Sequence, residues 1–166
     1  LVNLLGNMDE PTIKRYAEEK EALYRRLYTD IESLQGLISF LDRLDELKID
    51  RAIATSAPRA YVDFTLKKTN TERYFSTILD DSDVTVGKPD PQIYLKSALV
   101  LGYKPADCIV FEDSLSGVMA GKRAGCKVVG LTTTHTRSEL SEADLVIHDF
   151  VSLKPETVIH DLLGRF

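Results

Sequence analysis

Ile109-Val-Phe-Glu-Asp-Ser-Leu-Ser-Gly117 is a short apolar run that ends in two adjacent carboxylates and turns at once into a helical pattern. Such a run reads as a strand buried on both faces, the habit of strands in a parallel sheet. It puts Glu112 and Asp113 at the carboxyl end of that strand. In an open α/β sheet ligands bind at that end, because strand ends and helix amino termini converge on one crevice. Acids held side by side on rigid backbone can supply oxygen ligands to a hard divalent cation. Asp113 can equally do no more than cap the helix expected from Leu115 to Ala124. The stretch alone leaves both readings open.

Downstream, Lys127-Val-Val-Gly-Leu131 is a further strand, Ala143-Asp-Leu-Val-Ile147 a short last one, and Lys154 to Leu163 a closing helix. Upstream, Ser33-Leu-Gln-Gly36 breaks the pattern before an amphipathic helix with Leu37, Ile38, Leu41, Leu44 and Leu47 inward. Arg51-Ala-Ile-Ala-Thr-Ser56 is β-compatible, and Ala57-Pro58 turns it into a helix carrying Tyr61, Val62 and Leu66. Thr77-Ile-Leu-Asp80 is the next strand. An acidic loop then leads to Gly87-Lys-Pro-Asp-Pro91, where Asp90 caps a helix with Pro91 in first position and Gly102 ends it. Strands that alternate with helices specify an α/β fold with a doubly wound parallel sheet.

The first 32 residues differ from this plan. Asp9-Glu-Pro-Thr12 opens a helix expected to reach about Thr29, with Ile13, Tyr16, Ala17, Leu23, Tyr24, Leu27 and Ile31 on one stripe. Lys20 falls on that stripe. A lysine there either lays its stem on the core and sends its amine to water, or serves as the cation of a pocket. The chain opens on Leu1 rather than on a methionine, and a start at Met8 would cut into a helical pattern, so upstream sequence is expected.

With 166 residues, 43% of them hydrophobic, the chain can bury one good core. A net charge of -5 argues against a nucleic-acid or anionic-membrane partner, whose footprint would be basic. No apolar run has the length of a membrane span. Cys108 and Cys126 lie beside expected strands without metal-ligand spacing, which fits reduced thiols of a cytoplasmic protein without a catalytic role.

Three strand ends carry polar groups: Thr55-Ser56, Asp80-Asp81 and Glu112-Asp113. Parallel strands bring all of them to one edge, together with Lys88 in the Gly87-Lys-Pro-Asp-Pro91 loop, whose prolines restrict the backbone. Thr55, Ser56 and the amides near Pro58 can cradle an anion, as helix amino termini do. Lys88 can neutralise a phosphate beside a carboxylate-bound metal. Each group also has a plainer reading: an N-cap for Thr55-Ser56, a solvated lysine for Lys88, an acidic turn for Asp81 and Asp83. Their joint order is what is specific.

Ile53-Ala-Thr-Ser56, Gly87-Lys-Pro-Asp-Pro91 and Phe111-Glu-Asp-Ser-Leu-Ser-Gly-Val-Met-Ala-Gly-Lys-Arg-Ala-Gly125, in that order, resemble the motifs of the haloacid dehalogenase-like superfamily, in particular its β-phosphoglucomutase-like, phosphatase-rich branch. The resemblance implies a magnesium-dependent phosphatase acting on a small phosphorylated metabolite through an aspartyl-phosphate. Thr55 becomes the phosphate-binding hydroxyl with Ser56 beside it, Lys88 the cation joining phosphate and nucleophile, and Glu112 and Asp113 the magnesium-side acids. Residues 1–32 become the second half of a helical cap, Lys20 a cap lysine near the substrate, and residues 33–166 the α/β core. A phosphosugar mutase uses the same intermediate; Ala57-Pro58-Arg59 lack the polar residues that mutases carry after the phosphate-binding hydroxyl. A non-catalytic scaffold is the reading from another class.

One departure is large. Family members begin with an apolar strand ending in Asp-x-Asp, and this sequence holds no such segment; Asp81-Ser-Asp83 follows the wrong strand. The resemblance therefore implies that the chain as given is inactive. In the family that strand lies between the ones ending at Thr55 and Glu112. Its absence exposes two sheet edges whose unpaired buried groups cost about 1 to 3 kcal/mol each. The slot is therefore expected to be filled by the chain's own amino-terminal segment or another chain, or to be closed by the two strands meeting.

Overall fold

Asp9 accepts a hydrogen bond from the Thr12 amide at 3.0 Å, capping the first helix, α1 (Glu10–Leu27), as expected. The computed structural model describes residues 9–27 and 30–165. The first part of the expected cap and the helix end at Thr29 lie outside the described residues. The apolar stripe of α1 is only partly covered, with Tyr16 37% and Leu23 44% exposed. A stripe is buried only where an apolar surface faces it.

From there the chain alternates as the sequence demands: α2 (Leu37–Glu46), β1 (Ala52–Ala54), α3 (Arg59–Thr69), β2 (Thr77–Leu79), α4 (Gln92–Leu101), β3 (Ile109–Glu112), α5 (Leu115–Ala124), β4 (Lys127–Leu131), β5 (Leu145–Ile147) and α6 (Pro155–Leu163). β1, β2 and β5 are shorter than the runs that announced them. In the first case Thr55 leaves the strand to turn towards α3, its hydroxyl oxygen accepting from the Ala57 amide at 3.1 Å. Asp90 accepts from the Gln92 amide at 2.9 Å, so α4 starts one residue later than expected.

Every strand pair is parallel, and side chains alternate between two helical layers. Val110 and Val128 face a cluster with Ile93 and Tyr94 of α4 and Val118 of α5. Phe111, Val129 and Leu131 face the other side, with Phe40 of α2 and Val158 of α6. Phe40, Phe111 and Phe150 meet there with ring centroids 5.1 to 5.6 Å apart. Gly36, at φ 77°, runs so close to Phe150 that a Cβ would sit 2.4 Å from its carbonyl carbon. The doubly wound plan is thus in place. No helix among the described residues is long and apolar enough to cross a membrane.

The sheet is in two parts. β1 pairs with β2, placing Ile53 opposite Ile78; β3, β4 and β5 form a separate sheet with Val110 opposite Val128 and Gly130 opposite Val146. The facing edges of β1 and β3 do not pair. Between them lies a cavity of about 630 Å³ lined by Ala52 and Ala54 on one side and Ile109 to Phe111 on the other. Phe40 of α2, Val158 of α6 and Tyr94 of α4 line it from above and below. Direct closure of the two strands, one of the three expected outcomes, is not what the chain adopts. The two helical layers keep the edges apart.

Candidate active site

Parallel strands end together, and here they end in a second cavity of about 500 Å³ lined by Thr55, Ser56, Lys88, Glu112, Asp113, Ser114 and Thr133. On one wall, the Thr55 amide continues the β1 ladder to Leu79 O at 3.0 Å. The Ala57 amide bonds its oxygen, which leaves the hydroxyl proton free to donate. Ser56 beside it is exposed.

Lys88 crosses between the walls. Its loop is fastened on both sides: Gln92 Oε1 accepts from the Thr85 and Val86 amides at 2.8 and 3.0 Å, and Arg123 donates to Pro89 O at 2.9 Å. The Lys88 ammonium donates to Ala54 O, the last carbonyl of β1, at 3.1 Å, and to Glu112 Oε1 at the end of β3. Its side chain is 10% exposed and that of Glu112 8%. A buried carboxylate needs such partners. Tyr94 OH also donates to Oε1, while the Ser114 amide and hydroxyl donate to Oε2 at 3.3 and 3.0 Å. Burial works to raise the Glu112 pKa, but the Lys88 charge and these hydrogen bonds outweigh it and hold the carboxyl below its ordinary value. Gly117 makes room for this arrangement, since a Cβ there would meet the Glu112 carboxyl carbon at 2.0 Å.

Asp113 is placed differently. Thr133 donates to its Oδ2 at 3.0 Å and Thr134 to its carbonyl at 2.8 Å. The hydrogen bonds to its carboxylate fall on Oδ2. Oδ1 keeps no protein partner among the described residues, as a metal ligand would require. Among the described residues no group of three or more His, Cys, Asp or Glu is gathered to hold a metal ion. Asp113 thus keeps one carboxylate oxygen without a protein partner among the described residues, facing the cavity rim. Ser114, not Asp113, caps α5, accepting from the Gly117 amide at 3.0 Å.

The structure therefore brings Thr55, Ser56, Lys88, Glu112 and Asp113 together. It does not bring Lys20 there: that ammonium lies over the Tyr61 ring of α3, 5.9 Å from its centroid, and does not line the cavity. The acidic loop is a turn, with Asp80 accepting from the Ser82 amide and Asp83 from the Asp80 amide. The thiols are free, and burial pushes that of Cys126 up to about 12. Sequence reasoning missed Tyr94, Ser114, Thr133 and Thr134. Tyr94 sits at helical spacing among core residues and gave no signal. Thr133 and Thr134 follow strand β4, so the strand-end rule that found Thr55 could have found them.

A family model described as haloacid dehalogenase-like hydrolase matches residues 3–131. Validoxylamine A 7'-phosphate phosphatase of Streptomyces hygroscopicus is 34% identical over 122 residues, covering 74% of this chain and 57% of that protein. Among solved structures, a haloacid dehalogenase hydrolase of Entamoeba histolytica superposes with a TM-score of 0.84 at 34% identity, covering 95% of this chain and 74% of that one. The β-phosphoglucomutase of Clostridium difficile gives 0.81 at 27% identity, covering 95% and 71%. The chain spans between 38% and 57% of the length of three curated relatives it matches.

Proposed function

Since the chain belongs to the haloacid dehalogenase-like hydrolase family, we propose that the protein is a magnesium-dependent phosphatase of small phosphorylated metabolites that works through an aspartyl-phosphate. The observation that carries this reading is the meeting of Thr55, Lys88 and Asp113 in one cavity at the ends of β1 and β3.

A parallel strand lying between β1 and β3, from an upstream segment of the same protein or from another chain, would deliver a carboxylate to the same rim. That carboxylate attacks phosphorus, an O–P bond forms, and the ester O–P bond breaks as the alcohol leaves with a proton from a neighbouring acid. Water then attacks the acyl phosphate and returns carboxylate and inorganic phosphate. Thr55 and the amides after it bind phosphoryl oxygens. Lys88, desolvated and fixed, offsets negative charge shared by phosphate and nucleophile. Asp113, with Glu112 beside it, would hold magnesium, which supplies charge stabilisation to the phosphoryl group when bound. In this reading helix α1 (Glu10–Leu27) belongs to a helical cap. The likeness to a β-phosphoglucomutase favours a second reading, in which the phosphoryl group returns to a sugar instead of passing to water.

Hydrolysis of p-nitrophenyl phosphate tests the proposal. The 166-residue sequence holds no apolar strand ending in Asp-x-Asp ahead of Thr55 and is expected to give no turnover. A version extended upstream by an apolar strand ending in Asp-x-Asp is expected to release phosphate only with magnesium. Turnover by the 166-residue chain itself, or magnesium-independent turnover by the extended one, would overturn it. Faster sugar-phosphate interconversion than phosphate release would select the mutase.

A further inference from the structure

Lys88 is a lone ammonium holding two sheets together: it donates to Ala54 O at the end of β1, at 3.1 Å, and to Glu112 at the end of β3. A lysine has three rotatable donors on a flexible stem and sets no geometry by itself. Its position must come from what it touches. Below it lies Tyr94, whose ring centroid is 4.9 Å from Nζ and whose hydroxyl donates to the Glu112 oxygen that Lys88 also uses. Tyr94 is 6% exposed, on the α4 face that lines the cavity between β1 and β3. Ser114 fixes the other Glu112 oxygen. The carboxylate is thus pinned on both sides before it meets the lysine.

We propose that Tyr94 is a positioning residue: by fixing Glu112 it holds the Lys88 ammonium at the point that joins β1 to β3, where it meets the substrate phosphate. The part concerning phosphate rests on the phosphatase reading of this site. The clasp itself does not. In this arrangement Glu112 acts chiefly on Lys88, and Asp113 is the acid left open to a cation.

The test uses the 166-residue chain. Competitive acylation with an acetyl N-hydroxysuccinimide ester, read by mass spectrometry, reports how firmly each lysine amine is held. Lys88 is expected to react far more slowly than the exposed Lys104. Tyr94→Phe keeps the ring and removes only the hydroxyl. It should raise the Lys88 rate about tenfold, the scale of one hydrogen bond to a charged group, and leave Lys104 unchanged. Ser114→Ala, which frees the far oxygen, should raise it less, and it decides the matter if Tyr94→Phe does not fold. A Lys88 rate equal to wild type in both variants would overturn the proposal. In a second arm, calorimetry with inorganic phosphate should show Tyr94→Phe weakening affinity severalfold in the wild-type background and by less than about twofold in a Lys88→Ala background, because Tyr94 acts through Lys88. Equal loss in both backgrounds would overturn positioning through Lys88. Unchanged phosphate affinity in Lys88→Ala would sink the phosphate reading of the site while acylation still judges the clasp.

Discussion

β4 and β1 are built from similar residues and end up in different surroundings. β4 lies between β3 and β5, and its Val128 and Val129 are 0% exposed. β1 pairs with β2 alone, and all three of its residues stay half-buried although Ala-Ile-Ala is as apolar as a core strand should be. With one edge unpaired, β1 is less enclosed than β4, which is paired on both sides. The free edge of β1 borders the cavity it shares with β3, and at the carboxyl end of that cavity Lys88 ties the two edges together. The half of the molecule around β4 is complete. Around β1 one strand edge borders the cavity.

Substitutions can break or sharpen that contrast. Leu140, fully buried against the β4 layer, should cost about 3 to 4 kcal/mol in urea unfolding when changed to Ala. Gly117→Ala should cost about 2 kcal/mol, because its Cβ must displace the Glu112 carboxylate from Lys88 and Tyr94. Ile53→Ala in β1 should cost only about 1 kcal/mol, since the residue is half-buried; a loss as large as that of Leu140→Ala would end the contrast. Acid acts through the clasp as well. Glu112 is held below its ordinary value of 4.5, so its contribution is complete above that pH and fades as pH falls through the lower folded value. Circular dichroism melts of wild type and Glu112→Gln should therefore converge in acid and separate above pH 5. The smallest effect on stability, under about 0.5 kcal/mol, is expected from Asp113→Asn, whose side chain is less enclosed. In the upstream-extended protein the same change should weaken magnesium binding at least tenfold by calorimetry.

Much of this was legible in the sequence, for reasons that can be named. Ile109 to Gly117 announced a strand, a carboxylate pair and a helix because period, polarity and the change from strand to helix pattern agreed locally. The places of Thr55 and Lys88 at one cavity were legible because strand ends and the loops between them gather at one edge of a parallel sheet. Tyr94 was hidden: at helical spacing a tyrosine aimed at Glu112 looks like any core aromatic, and only the fold shows where its hydroxyl ends. Where the Lys20 ammonium ends, over the Tyr61 ring, was not legible because its stripe depends on a facing surface that residues 9–27 cannot specify alone. That β1 and β3 would stand apart rather than meet was also beyond local reading, since it depends on how the two helical layers pack.

Amide hydrogen exchange along β1 and β3 is the decisive measurement, comparing the 166-residue chain with the version extended upstream by an acid-bearing strand. The extension is expected to slow exchange of Ala52 to Ala54 and Ile109 to Phe111 by orders of magnitude, leaving Val128 to Gly130 unchanged. Identical exchange at β1 and β3 in the two proteins would contradict this.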